Sequence, residues 1–292
     1  MKRAILSLGS LSARLLPQPI KRAVYGWPPL ARVLRRALNR AAPDGLTLTR
    51  VAAGELAGMS LYLNLQTEKD YWLGTYEPEL QAAARHFVKS DMVVYDVGAN
   101  IGYISLLFAD CVGPQGQVFS FEALPANQVR LEQNVAANHL SERVVCVAAA
   151  VTDQQSTVRF LVHESTSMGK VDGSPGRQEE YQHSIEVPGI ALDDFIFEEE
   201  HPAPQLIKMD IEGGEVMAVR GMQRLLREIQ PVLLIELHGP EAARAVGSSL
   251  LDAGYLLRDM KPGFPILANP EDFDWKAYII ATPGIVENLG EE

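Results

Sequence analysis

The sequence predicts a doubly wound α/β domain built on a mostly parallel sheet, and three observations carry that prediction. A short apolar run, Met92–Tyr95, feeds a glycine-containing turn at Asp96–Gly102 and then an apolar helix, Tyr103–Cys111. The alternation repeats at Gln117–Phe121 with the helix opened by Pro125, and again at the strand Arg143–Val147. The second strand ends in an acid, Glu122. Apolar runs buried on both faces and alternating with helices form right-handed βαβ units, whose ligands sit at the carboxyl ends of the strands.

The remaining elements follow in order. Leu124, Gln128, Leu131 and Val135 share one face of the helix after Pro125. Leu206–Met209 reads as the fourth main strand. The helix from Glu215 to Ile229 then buries Val216, Val219, Met222, Leu226 and Ile229 on one face. Val232–Ile235 is the neighbouring strand, and Gly239-Pro240 opens the next helix. Between Asp153 and Pro204 the alternation breaks. Thr157–Val162 and Ser184–Val187 have strand character, Leu192–Phe197 reads as a short helix, and Glu164–Tyr181 reads as a mobile loop rich in Ser, Gly and charge. An insertion there, about 155–200, would carry specificity, with Tyr181 and His183 either acceptor contacts or solvated loop residues.

The 292 residues are 47% hydrophobic and 22% charged, enough for a full core without metals or disulfides. Apolar stretches such as Ile101–Ala109 fall short of the ~18 to 20 residues of a membrane span. Cys111 and Cys146 lie in apolar sequence without metal-ligand spacing, as buried thiols in a reducing compartment do. The net charge of −11 is uneven. Residues 1–43 hold nine Lys/Arg and no acid, which leaves 17 basic against 37 acidic residues in the rest, a net of −20. So acidic a body repels a polyanion and argues against a nucleic-acid partner.

Residues 1–70 read as a basic helical extension. Leu30, Val33, Leu34, Ala37 and Leu38 form an apolar stripe opposite Arg32, Arg35, Arg36 and Arg40. Such a stripe either makes peripheral contact with an anionic membrane, through residues 30–40, or packs on the protein's own acidic body. Lys2-Arg3 and Ala4–Ala13 make a poor signal peptide, because serines interrupt the core and Arg14 ends it. The expected location is cytoplasmic, with the inner membrane face as the peripheral site.

In the turn, Gly98 lets the backbone approach a ligand, and Gly102 lets the helix pack closely on the strand. Amides at the helix start can hold an anion. Glu122, twenty residues past Gly102, stands where an acid accepts from ribose hydroxyls. Nicotinamide and flavin folds share this logic but use G-x-G-x-x-G, whereas Asp96–Gly102 reads D-x-G-A-N-x-G. That motif resembles motif I of class I S-adenosylmethionine-dependent methyltransferases. Further matches make the chain similar to the FkbM family: Phe121-Glu122 with Pro125 and Asn134, Ile207-Lys208-Met209-Asp210-Ile211-Glu212-Gly213-Gly214-Glu215, Gly221, Pro231 and Leu234–His238. The resemblance covers about Tyr71 to Leu256.

It implies a Rossmann-like domain over 71–292, with a seven-stranded sheet in the order 3-2-1-4-5-7-6. The antiparallel strand would be Trp275–Ala281. It also implies S-adenosylmethionine as cofactor. Asp96 with Gly98, Ala99, Asn100 and Gly102 would hold its methionine end, Glu122 its ribose, and Asp153 would lie near its adenine. Thr75 or Glu77 would reach its ammonium group. Asp153 reads equally as a turn residue and Glu77 equally as a helix cap.

Methyl transfer to a hydroxyl needs the acceptor aligned with the departing sulfur, and a base or metal to take or weaken the proton. Strand period two places Asp210 and Glu212 on one face, and Glu236 and His238 likewise on the next strand. Asp210 and His238 are the expected proton acceptors, with Glu236 positioning His238 or the acceptor. A divalent metal is the alternative use of oxygen ligands and one His; the primary reading needs none. Glu212 and Glu215 equally suit the helix N-terminus opened by Gly213-Gly214.

The resemblance implies O-methylation of a hydroxyl on a sugar, glycolipid or secondary metabolite. Asp-Pro-Pro-aromatic, the signature of base N-methylation, is absent, since Ile211-Glu212-Gly213 follows Asp210. The rivals are a non-catalytic or membrane-docked binding protein on the same scaffold and a nicotinamide-dependent oxidoreductase.

Overall fold

The computed structural model describes residues 11–12, 36, 38, 40–163, 169–174, 181–267 and 276–284. They divide into two units, 1–78 with 136–139, and 79–135 with 140–292.

In the first unit, β1 (Leu46–Arg50) and β2 (Ser60–Asn64) form an antiparallel hairpin, followed by α1 (Lys69–Leu73). Leu61 and Leu63 are buried while Leu46 and Leu48 are exposed. The Asn138 side chain clamps the end of β2: its Oδ1 accepts from Ser60 N at 2.9 Å, and its Nδ2 donates to Ser60 O at 2.7 Å. Residues 46–64 therefore depart from the helical extension expected over 1–70. The reason is local, because Leu46-Thr47-Leu48-Thr49 alternates with period two and its threonines favour strand. Of the basic stripe at 30–40, Arg36, Leu38 and Arg40 are helical, with both arginines exposed; the other stripe residues lie outside the described residues. Among the described residues, no helix is long and apolar enough to cross a membrane.

The second unit runs α2 (Pro78–Phe87), β3 (Val93–Val97), α3 (Tyr103–Val112), β4 (Gln117–Phe121), α4 (Pro125–Ala137) and β5 (Val144–Val147). After β6 (Ala150–Val151), β7 (Ser156–His163), β8 (Gly169–Val171), β9 (Tyr181–Ile190) and α5 (Leu192–Phe197) come β10 (Leu206–Met209), α6 (Glu215–Arg220) and α7 (Gln223–Glu228). The chain closes with β11 (Val232–His238), α8 (Pro240–Asp252), β12 (Tyr255–Asp259) and β13 (Lys276–Pro283).

The main sheet has the order β12-β13-β11-β10-β3-β4-β5. Its strands run parallel except β13, which is antiparallel to both neighbours. Numbered along the chain within this sheet, that is 3-2-1-4-5-7-6. Trp275, the expected start of the antiparallel strand, lies outside the described residues. The centre of the sheet is dry. Val94, Tyr95, Leu206, Ile207, Met209, Leu233, Leu234 and Ile235 are all fully buried, which is why these runs read as continuous rather than alternating hydrophobics.

A second, four-stranded sheet, β6-β9-β7-β8, follows β5. Phe160, Val162, Val171 and Val187 form its core with Leu124 and Ala150. The segment expected as a loop, 164–181, carries β8, paired with β7 from Phe160–Val171 to Val162–Gly169. Its remainder lies outside the described residues up to Tyr181. Tyr181 and His183 are strand residues of β9 facing His163 and Val162, not loop residues.

The helix expected over 215–229 is broken into α6 and α7 at Gly221. A Cβ there would sit 2.1 Å from the Thr152 carbonyl oxygen and 2.9 Å from Asp153 Cα. Asp193 then caps α7, accepting from Arg224 N and Leu225 N, each at 2.8 Å. Gly221→Ala is accordingly expected to destabilise the protein by about 1–3 kcal/mol, the cost of overpacking. Urea unfolding measures it, and an unchanged midpoint would show that the two backbones can separate freely.

Candidate active site

The glycine turn leaves β3 at its carboxyl end. Gly98 has φ +80°, and a Cβ on it would lie 1.9 Å from the Asp210 carbonyl oxygen. The turn therefore passes directly against the end of β10, which only glycine permits. At Gly102 a Cβ would meet Leu131 Cδ1 at 2.5 Å, the close helix packing expected there. Gly98 N and Ala99 N donate to Phe121 O, at 3.0 and 2.9 Å, and Gly102 N donates to Ala99 O at 2.8 Å. These three amides build the turn rather than cradle an anion.

Asp96 is fully buried. Its Oδ2 accepts from Ser105 Oγ at 2.6 Å, and Lys208 Nζ lies 3.2 Å from its Oδ1. The same ammonium donates to Gly98 O at 2.8 Å. Asp96 and Lys208 face each other across the β3–β10 register. Asp96 thus holds the turn from inside, through Ser105 and Lys208. Glu122 is also buried, accepting from Asn100 N at 2.8 Å and Leu124 N at 2.7 Å. Burial raises its pKa; hydrogen bonds from Leu124 and Asn100, the Lys208 charge and a hydrogen bond from Asn127 partly offset that.

Beside this turn, four carboxylates surround one imidazole. His238 Nδ1 lies 3.0 Å from Glu215 Oε1, and Nε2 lies 3.2 Å from Glu236 Oε1, 3.4 Å from Glu212 Oε2 and 3.8 Å from Asp210 Oδ1. His238 is 2% exposed, Glu215 fully buried, and Asp210 and Glu212 partly open. Glu215 is itself held by Ile211 N at 3.3 Å and Gly213 N at 3.2 Å. Glu212 takes φ +54° in that turn. A small cavity lined by Leu80, Asp210, Glu236, Met260 and Tyr278 opens here.

Burial lowers the His238 pKa, but the hydrogen bond to Glu215, the Glu236 carboxylate close to Nε2 and the charges of Glu215 and Asp210 outweigh it, so the pKa is pushed up to about 10. An imidazole that keeps its proton at neutral pH cannot take the acceptor's. That direction favours a carboxylate of the cluster as proton acceptor.

The match to the methyltransferase FkbM domain runs over residues 96–257, from the buried aspartate of the turn into β12. The chain belongs to the FkbM family of S-adenosylmethionine-dependent methyltransferases. Among relatives, hexuronic acid methyltransferase AglP of Haloferax volcanii is 25% identical over 165 residues, covering 56% of this chain and 64% of AglP. The 31-O-demethyl-FK506 methyltransferase FkbM of Streptomyces tacrolimicus is 26% identical over 209 residues, covering 62% and 74% respectively. The chain thus spans a little under two thirds of AglP. Among solved structures, the FkbM methyltransferase of Methylobacillus flagellatus is 17% identical, with a TM-score of 0.43 over 89% of this chain and 60% of that one.

The residues present fit this family's cofactor. Asn100 Oδ1 is buried without a hydrogen-bond partner, an acceptor suited to an ammonium or hydroxyl donor. Glu122 takes three donors, from Asn100, Leu124 and Asn127. A carboxylate has about four accepting sites, which leaves one for a ribose hydroxyl. Asp153 is exposed in the bend after β6. Thr75 and Glu77 belong to the first unit, where Thr75 N donates to Asp70 O at 2.9 Å and Glu77 has φ +41°.

Lys208 had no assigned role in the sequence, and Glu215 only a place at a helix start. Lys208 is the one charge inside a strand otherwise buried and apolar, and such a charge must be paired. Glu215 does sit at a helix start, as expected, but its other partner is His238. Lys208→Met should cost about 3–5 kcal/mol, the penalty for stranding a buried carboxylate. Chemical denaturation reads this, and adding Asp96→Asn should recover most of the loss; no recovery would mean the lysine acts by packing alone.

Proposed function

We propose that this chain methylates a hydroxyl on a sugar, glycolipid or other small metabolite, with its carboxylate cluster receiving the hydroxyl proton. The observation that carries the reading is the convergence of Asp210, Glu212 and Glu236 on His238 at the carboxyl ends of β10 and β11, next to the turn at Gly98. A thiol or amine acceptor needs no such group; a hydroxyl does. The names of two relatives, a hexuronic acid methyltransferase and a 31-O-demethyl-FK506 methyltransferase, support oxygen-rich acceptors. The acidic body disfavours nucleic acid.

In this reading the methyltransferase domain spans 71–292. When bound, S-adenosylmethionine supplies an electrophilic methyl group on a sulfonium. Asn100 Oδ1 and Glu122 bind its polar groups, with Ala99 and the Gly98 and Gly102 positions shaping the seat. Asp153 is a further contact. Asp210, partly open beside the cavity, orients the acceptor hydroxyl and takes its proton. Glu236 and Glu212 position that hydroxyl, and His238, held by Glu215, fixes the carboxylates in place.

Calorimetric titration with S-adenosylmethionine, S-adenosylhomocysteine and NADH tests the cofactor. Both adenosyl ligands should bind and NADH should not, and Gly98→Val should abolish binding because its side chain would displace the β10 end. Binding of NADH alone would sink the reading. Asp210→Asn should keep adenosyl binding while kcat falls ~10²–10⁴-fold, the usual worth of a general base; wild-type turnover would remove Asp210 from the mechanism.

A further inference from the structure

We propose that Asp210, Glu236 and His238 form a binding site for a hard divalent cation, Mg²⁺ or Mn²⁺. One ligand atom from each of the three lies within 4.8 Å of the others. With metal–oxygen bonds of about 2.1 Å, neighbouring ligands of an octahedral cation stand about 3 Å apart and opposite ones about 4.2 Å. The separations from His238 Nε2, 3.2 Å to Glu236 and 3.8 Å to Asp210, lie in that range. Glu212 Oε2, 3.4 Å away, stands at the same centre.

An acidic cluster alone would not carry this. The deciding observation is the histidine. His238 is 2% exposed, and its Nε2 is buried and makes no aligned hydrogen bond while facing three carboxylates. Its other nitrogen is committed: Glu215, which accepts on Oε1, fixes Nδ1 as a donor at 3.0 Å. That leaves Nε2 facing the cluster, where a bound cation would take the place of its proton. A carboxylate holding the far nitrogen of an imidazole is the arrangement that orients metal-ligating histidines and raises their basicity. Glu215 is in turn tied to the amides of Ile211 and Gly213, in the turn that carries Asp210 and Glu212. Ligand, orienting carboxylate and turn therefore form one connected unit.

Charge points the same way. The imidazole can carry one positive charge at most, against four carboxylates within 4 Å of it. A divalent cation offsets two more. Oxygen ligands with one imidazole select Mg²⁺ or Mn²⁺ over softer metals. A cation here would bind the acceptor oxygen and acidify its hydroxyl, with the carboxylate cluster receiving the proton as the oxygen–methyl bond forms and the sulfonium becomes a thioether. That last role rests on the proposed O-methylation; the binding does not.

The test is titration of the EDTA-treated full chain with MnCl₂, followed by the electron paramagnetic resonance of free Mn²⁺. One bound ion per chain is expected. Affinity should fall ~10–100-fold in Glu215→Gln, the usual effect of losing an orienting carboxylate, and further in His238→Ala and Glu236→Gln. Melting curves in EDTA establish that each variant is folded, and Asp210→Asn replaces any that is not. Absence of binding to folded wild-type protein at millimolar Mn²⁺, or binding unchanged across the folded variants, overturns the site. Adenosyl-ligand calorimetry without metal keeps the two readings apart, since it can succeed while Mn²⁺ fails to bind, and the reverse.

Discussion

The ammonium of Lys208 holds the centre of this protein's ligand edge. It stands opposite Asp96 across two buried strands, 3.2 Å from the carboxylate, and also grips the Gly98 carbonyl at 2.8 Å. A charge at that depth is tolerable only with its partner, so the pair ties the β3–β10 register to the path of the glycine turn. Ser105 completes the carboxylate's shell from the first turns of α3. Strand, turn and helix are thereby fixed to one buried carboxylate. The position of Asn100, whose amide reaches Glu122, follows from that.

The second constraint is an excess of negative charge. Four carboxylates on β10, β11 and the α6 turn face one buried imidazole. Like charges this close do not assemble without compensation. A structural role at the helix start explains Glu215 in part, through the Ile211 and Gly213 amides. It does not explain Asp210, Glu212 and Glu236, which converge next to the cavity at Tyr278 and Met260. Concentrating unfavourable charge in this way is what marks the cluster as a candidate functional site.

The fold was largely legible because its signals are local. The doubly buried runs at Val93–Val97, Gln117–Phe121 and Leu206–Met209 announce themselves by continuous hydrophobicity, and the helices between them by period. Legibility failed where a partner distant in sequence decided the outcome. The 215–229 helix has an unbroken apolar stripe, but the 152–153 backbone presses on Gly221 and Asp193 restarts the helix. Gly169–Val171 looks like loop by composition, yet it pairs with β7. The hairpin at 46–64 is itself local, since Leu46-Thr47-Leu48-Thr49 alternates with the period of a strand.

The same division runs through the site. The sequence by itself determined which residue types stand at strand ends: the D-x-G-A-N-x-G turn, the acid at Glu122, and the period-two pair Glu236/His238. These are matters of spacing along one chain segment. Asp210 and Glu212 lie past the end of β10, Glu212 in a turn at φ +54°, so strand period did not place them. Only the tertiary structure decided that Asp96 faces inward to Lys208, that Glu215 takes the far nitrogen of His238, and that the carboxylates around the imidazole raise its pKa. Those outcomes depend on strand register and on electrostatics between groups far apart in sequence. Energies that vary with separation and burial are set only when the chain has folded.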